Sequence, residues 1–318
     1  MNKRKLGNTS LEVSEIAFGG VEIGLPYGIG IQSESDMLTE NEAIDLLHAS
    51  LDAGINFFDT ARLYGNSETI MGKAFMGKRQ NVILSTKCRH FRNREGQLLP
   101  GYDLKKYIED SLQESLDALQ TDYVDVFMLH QADEEILDNE IITTAFSGIK
   151  DRGIARTIGA STYSIGETEK AIHSGVWDMV QLPFNLMDQR QQKLFDVAEQ
   201  KGVGIVIRSV LLKGLLSNRG KTLHPALKEV QNHIKNYDSL LDDEFSDLPA
   251  LALKFALSFA GISSVLIGMD RMEYLHQSLA VADGKYMNET KLRMAKQLAY
   301  PDPAFLNLPH WDRMGWLT

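Results

Sequence analysis

The chain has 318 residues, 43% hydrophobic and 24% charged, a composition that excludes disordered, collagenous and membrane-embedded classes. Lys and Arg number 33 against 43 Asp and Glu; the resulting net charge of −10, with no dense basic stripe, argues against a nucleic-acid partner. The single cysteine, Cys88, has no internal disulfide partner, which fits a reducing compartment.

The opening Met1-Asn2-Lys3-Arg4-Lys5 starts like a secretion signal, yet no apolar run follows it. Residues 3–13 read as a short hairpin turning at Gly7-Asn8 and plugging the bottom of whatever follows. From there, short runs rich in β-branched and aromatic residues alternate with helical periodicity to the end of the chain. The predicted strands are 14–20, 56–61, 82–87, 124–130, 157–161, 179–184, 204–210 and 263–268.

The helices between them carry their own punctuation. Thr39 and Glu42 form a capping box before a helix with Ile44, Leu47 and Leu51 on one face, ended by Gly54. Asp103 is the expected cap of a helix striped by Leu104, Ile108, Leu112, Leu116 and Leu119. Pro249 sits near the start of a helix with Leu253 and Leu257. The stretch 249–268 is the most apolar, but Lys254, Ser258, Gly261, Ser263 and Ser264 break it into a helix and a strand rather than a membrane span.

Strict alternation implies a parallel sheet, and eight repeats without a break in composition imply closure into a (β/α)₈ barrel. The whole of 1–318 reads as one domain, since no Pro- or Ser-rich linker divides it. A long polar loop over 211–247 and a tail over 301–318 with Trp311 and Trp316 are expected at the active-site face. The expected location is cytoplasmic, with no membrane, nucleic-acid or obligate protein partner.

Reactive groups of such barrels sit at the carboxyl ends of strands. Those ends read Asp59, Lys87, His130, Ser161, Gln181, Arg208 and Gly268, with Tyr64 in the loop after Asp59. Taken singly, each residue has a structural reading: Asp59 a turn cap, Tyr64 a packed aromatic, Lys87 a solvated strand end, His130 a core histidine. Recurrence at one structural level, strand after strand, is not what core packing produces.

Together four of them make a chemical unit. Carbonyl reduction needs a proton donor, and a tyrosine of pKa ~10 is a weak one unless its anion is favoured. A Lys87 ammonium favours the tyrosinate, and the Asp59 carboxylate keeps that lysine charged and placed. A neutral His130 can donate to the carbonyl oxygen and orient it.

The runs Phe57-Phe58-Asp59-Thr60-Ala61, Leu63-Tyr64-Gly65 with Ser67-Glu68, and Ser85-Thr86-Lys87 resemble the aldo-keto reductase signature. So do Ser115-Leu116, Leu119, Asp122-Tyr123-Val124-Asp125, Leu129-His130 and Ile158-Gly159 with Ser161, all in order along the chain. The resemblance implies a (β/α)₈ barrel that binds NAD(P)H across its carboxyl face and reduces aldehydes and ketones, or oxidises the matching alcohols. It implies Tyr64 as proton donor, Lys87 and Asp59 as its tuning pair, and His130 as the group that orients the carbonyl.

The resemblance also implies cofactor contacts. Ser161 and Gln181 match the residues that bond the nicotinamide carboxamide, and Thr162 stands where the family usually has Asn. Arg208 replaces the usual stacking aromatic, and a guanidinium can lie flat on a ring. Ser209, Leu211, Lys213 and Gly214 match the loop around the pyrophosphate. Gly268, Met269, Arg271, Tyr274, Gln277 and Ser278 match the adenosine end, with Gln277 and Ser278 replacing a Glu-Asn pair. Arg271, beside Asp270, is the only cation that the sequence shows there, so the choice between NADPH and NADH stays open.

Other classes have weaker claims. No GxGxxG follows a strand, and neither a GxxxxGK[ST] loop nor HExxH occurs. Cys88, His90 and His130 match no zinc spacing, so no metal is expected, and Cys88 reads as packing. A cofactor-sensing barrel resembling channel β-subunits and a Schiff-base aldolase using Lys87 are the alternatives. Loops near Leu25-Pro26-Tyr27 and over 89–94 are expected to set specificity, with Arg89, His90, Arg92 and Arg94 available to an anionic or sugar-like substrate.

Overall fold

A computed structural model describes residues 1–318 other than Gln32, Arg94, Glu244 and Thr318, and every remaining side chain except that of Tyr102. It opens with an antiparallel hairpin, β1 (Lys3–Lys5) and β2 (Glu12–Ser14). Gly7 turns it with φ +56°, and a Cβ there would meet the Gly202 carbonyl at 2.4 Å. Leu6, Leu11 and Val13 are buried against Ala17, Phe57, Val126, Met179 and Val206 of the barrel interior, so the hairpin closes the amino-terminal end as expected.

Eight parallel strands then close on themselves: β3 (Ile16–Gly19), β4 (Phe57–Asp59), β5 (Ile83–Lys87), β6 (Val124–Leu129), β7 (Ala155–Ser161), β8 (Met179–Pro183), β9 (Gly204–Arg208) and β10 (Ser264–Gly268). β10 pairs with both β9 and β3, which closes the (β/α)₈ barrel. Strand β6, VDVFML, is buried at every position, as both its faces are covered. The predicted first strand, 14–20, divides in two. Ser14 pairs with Lys3 in the hairpin, and the barrel strand starts at Ile16.

Helices α1 (Glu40–Asp52), α2 (Ser67–Ala74), α3 (Gly101–Leu119), α4 (Glu134–Leu137), α5 (Glu140–Asp151), α6 (Ile165–His173), α7 (Phe195–Lys201), α8 (Lys228–Ile234), α9 (Leu248–Leu257), α10 (Met272–Val281), α11 (Glu289–Gln297) and α12 (Leu308–Arg313) complete the chain. The Thr39–Glu42 capping box forms, and Gly54 follows α1 with φ +92°. The buried face of α1 centres on Ala43, Leu46, Leu47 and Ser50, one step round from the Ile44 and Leu51 edge. Helix α3 buries its predicted leucine and isoleucine stripe. It begins at Gly101, two residues before Asp103, because Pro100 takes the capping position with its fixed φ.

The stretch 211–247 departs from the expected polar loop. It holds α8 and several 3₁₀ turns, and buries Leu212, Leu215, Leu216, Leu227, Val230, Tyr237 and Phe245. Its apolar residues fall at irregular spacing, which hides their burial from a periodicity search. Among the described residues, no helix is long and apolar enough to cross a membrane.

Candidate active site

Strand register sets the site. Gly19 stands opposite both Asp59 and Gly268, and Ser161 opposite Gln181, so the ends of the strands form one rim. Asp59 terminates β4, and the loop behind it turns twice. Tyr64 N donates to the Ala61 carbonyl at 3.0 Å, and Ser67 N to the Tyr64 carbonyl at 3.0 Å. Thr60 Oγ1 on Ser67 Oγ at 2.8 Å pins that loop to α2. Buried Glu68 accepts from Thr86 Oγ1 at 2.6 Å and pairs with Arg62, tying α2 to β5. The sequence motif contains Glu68 but gives no sign of this bracing role.

Lys87 ends β5 and is wholly buried. Its Nζ donates to Asp59 Oδ2 at 2.5 Å and to the Thr60 carbonyl at 2.8 Å, and lies 4.8 Å from the centre of the Tyr64 ring. Asp59 Oδ1 also accepts from Ser85 Oγ and Gln181 Nε2, both at 3.1 Å. The His130 ring meets Tyr64 edge-on at 5.3 Å. The four predicted chemical residues therefore stand together.

Burial shifts Tyr64, Lys87 and His130. Burial pushes the Tyr64 phenol well above the usual tyrosine range, Asp59 adds to this, and Arg208 opposes it. Arg208 is a cation that favours the phenolate, and burial outweighs it. Burial lowers Lys87, with Asp59 opposing. Burial also holds His130 well below the usual histidine value, helped by Lys87, His90 and Arg208. The imidazole is thus neutral, and its Nδ1 is buried without a partner.

A cleft of about 500 Å3 opens on Asp59, Tyr64 and His130. Ser161, Gln181 and Arg208 line it, as do Ser209, Leu211, Lys213 and Gly214 of the loop after β9, and Gly268, Tyr274, Gln277 and Ser278 of β10 and α10. The loop after β9 is strained: Ser209, Leu212 and Lys213 hold φ of +61°, +48° and +58°, each costing roughly 1–3 kcal/mol. Lys213 Nζ pairs with Asp312 of the tail and lies 4.7 Å over the Tyr27 ring, so the tail does reach this face.

Four predicted contacts lie outside the cleft lining. Thr162 turns its hydroxyl to Thr168 Oγ1 at 2.7 Å, because α6 packs beneath it, and offers only its carbonyl, which accepts from Arg208 Nη2 at 2.9 Å. Met269 is fully buried in the core. Arg271 is turned to Asp270 at 3.4 Å, and Lys87 acts from beneath Asp59. Arg208 lies 4.2 Å from the Tyr163 ring centre, so that ring already occupies one guanidinium face.

Tyr27 of the expected specificity loop lines the cleft, and sequence reasoning missed Glu22, Tyr163 and Arg219, which line it too. They lie in irregular loops, where no spacing marks them. Among the described residues of the segment after Lys87, both arginines are engaged. Arg89 pairs with Glu114, and Arg92 with Asp133 and Glu135, while Arg94 lies outside the described residues. The Cys88 thiol is buried and pushed up to about 12, as a packing cysteine should be. Among the described residues no cluster of His, Cys, Asp or Glu could hold a metal ion.

The cleft volume is in the range of small-molecule sites. His130 Nδ1 and Arg208 Nε, on two residues of its lining, are buried without a partner and leave polar groups that a nicotinamide dinucleotide could satisfy. Fold and site together are those of a barrel reductase. Residues 15–296 match the model of the Aldo/keto reductase family, and the chain belongs to that family. An L-galactose dehydrogenase of Arabidopsis thaliana is 30% identical over 295 residues, 87% of this chain and 86% of its own. An NADH-specific methylglyoxal reductase of Escherichia coli (strain K12) is 26% identical, covering 88% and 93%. The holo form of an aldo-keto reductase from Bacillus halodurans superposes with a TM-score of 0.78 at 26% identity, covering 94% and 96%. The chain is an NAD(P)H-dependent oxidoreductase.

Proposed function

We propose that the protein reduces a small aldehyde or ketone, or oxidises the matching alcohol, with Tyr64 as proton donor. The observation that carries this reading is the Tyr64 ring, edge-on to His130 at 5.3 Å and 4.8 Å from Lys87 Nζ, which is buried and paired with Asp59. A reduced nicotinamide held by Ser161, Gln181 and Arg208 would supply a hydride to the carbonyl carbon. As negative charge grows on the carbonyl oxygen, Tyr64 gives it the phenolic proton, and Lys87 and Arg208 balance the phenolate left behind. His130 donates a hydrogen bond that fixes the oxygen, and burial of Lys87 and Asp59 keeps water out of the relay. Solvent then returns the proton to Tyr64.

The intact quartet supports turnover over a sensing role, and Lys87, locked on Asp59 and Thr60, is poorly placed to attack a carbonyl. The names of the relatives suggest small polar carbonyl compounds and sugars, so methylglyoxal and L-galactose head the panel to test. With cofactor deuterated at the transferred position of C4, the expected result is deuterium on the former carbonyl carbon. Tight cofactor binding with no label in any product across the panel would contradict the reading.

A further inference from the structure

Hydride chemistry at Tyr64 fixes which way an extended dinucleotide lies. Its nicotinamide belongs beside Tyr64 and His130, which leaves the lining residues of α10 and the turn before it, within 268–281, for its adenosine. Two guanidinium groups stand near these residues, Arg219 and Arg271, and both are engaged by one carboxylate. Arg219 Nη2 meets Asp270 Oδ2 at 3.0 Å, and Arg271 Nε meets Asp270 Oδ1 at 3.4 Å. Both also stack on the Tyr274 ring, at 5.9 and 5.4 Å from its centre. Asp270 itself lines the cleft with a side chain 11% exposed.

A second acid enters from the loop after β3. Glu22 lines the same cleft, and its Oε2 is sealed from solvent without a partner. The carboxyl occupies the space that a side chain on residue 268 would take: a Cβ on Gly268 would lie 1.8 Å from Glu22 Oε1. Burial, with the Asp270 charge adding, raises the Glu22 carboxyl to about 8. A 2′-phosphate brings two further negative charges and needs unengaged charged donors, whereas a ribose hydroxyl needs only an acceptor.

We propose that Asp270 selects the unphosphorylated dinucleotide by holding the Arg219 and Arg271 guanidinium groups on its own carboxylate, which withholds them from a 2′-phosphate. The chain therefore prefers NADH over NADPH. This rests on the cleft holding a nicotinamide dinucleotide, and it leaves the carbonyl substrate and the role of Tyr64 untouched.

Equilibrium titration by quenching of tryptophan fluorescence tests it without turnover. The wild-type chain is expected to bind NADH at least tenfold more tightly than NADPH. In Asp270→Asn, both arginines are released, and the ratio should shift toward NADPH by tenfold or more while NADH affinity changes less than about threefold. Arg219→Gln is the second variant; with its cation already spent on Asp270, the wild-type ratio should survive. Four results would overturn the inference: NADPH binding the wild type as tightly as NADH; an unchanged ratio in an Asp270→Asn variant that melts like the wild type; a tenfold loss confined to NADPH in Arg219→Gln; or no binding of either dinucleotide. The last result would also remove the dinucleotide cleft. NADH preference without label transfer would instead sink only the hydride chemistry.

Discussion

Glu22 and His130 share one cleft and respond to pH in opposite senses. The folded chain keeps His130 neutral, while the unfolded chain protonates it below about 6.5, so acidification favours unfolding through this group. Glu22 has its folded value raised from 4.5 to about 8, so the folded chain keeps a proton that the unfolded chain has already lost. Stability through Glu22 is whole below 4.5 and falls as pH rises toward 8. Glu22→Gln removes that ionisation, and the urea midpoint of the cofactor-free variant should fall less than that of the wild type between about pH 5.5 and 8. An equal fall in both proteins would show that Glu22 ionises freely in the folded chain. Residues of this kind were hidden in the sequence. The quartet was legible because strand ends repeat at one level, whereas Glu22 and Arg219 lie in loops without a period. The bond from the Thr162 hydroxyl to Thr168 also left no mark, because Thr168 belongs to the following helix.

Helices and strands were legible wherever periodicity was clean. All eight barrel strands lie where alternation with helices placed them, and the α3 stripe is buried as written. Boundaries failed where a competing local partner won, as with Pro100 over Asp103 and hairpin pairing for Ser14. Close contacts between loops leave little trace in sequence apart from glycine. Gly24 is such a case: a Cβ there would lie 1.9 Å from the Tyr64 carbonyl and 2.7 Å from Ser67 N. Gly24→Ala must therefore push the Tyr64 loop away from β3. The expected result is a loss of roughly 1–3 kcal/mol in stability and at least a tenfold fall in kcat, with NADH affinity much less affected. Wild-type turnover in this variant would show that the loop has slack and that Tyr64 needs no such support.

At the scale of the whole molecule, the barrel puts every named reactive group on one rim and leaves the opposite end to a hairpin plug. The family match over residues 15–296 spans that entire barrel, and the resemblance carried by the quartet and its motifs pointed to the same family. The connecting segments complete that frame: the strained loop over 209–214, the tail latched through Asp312, and the acids Glu22 and Asp270. Those segments have irregular spacing, so the sequence revealed the chemistry more readily than the specificity. The most direct test of the account is single-turnover reduction of a reactive aldehyde by preloaded wild-type protein and Tyr64→Phe. Loss of one positioned general acid should slow reduction by roughly 10²–10⁴-fold while NADH affinity stays within a few-fold of wild type. Reduction by Tyr64→Phe at the wild-type rate would contradict the account, because the proton would then come from elsewhere.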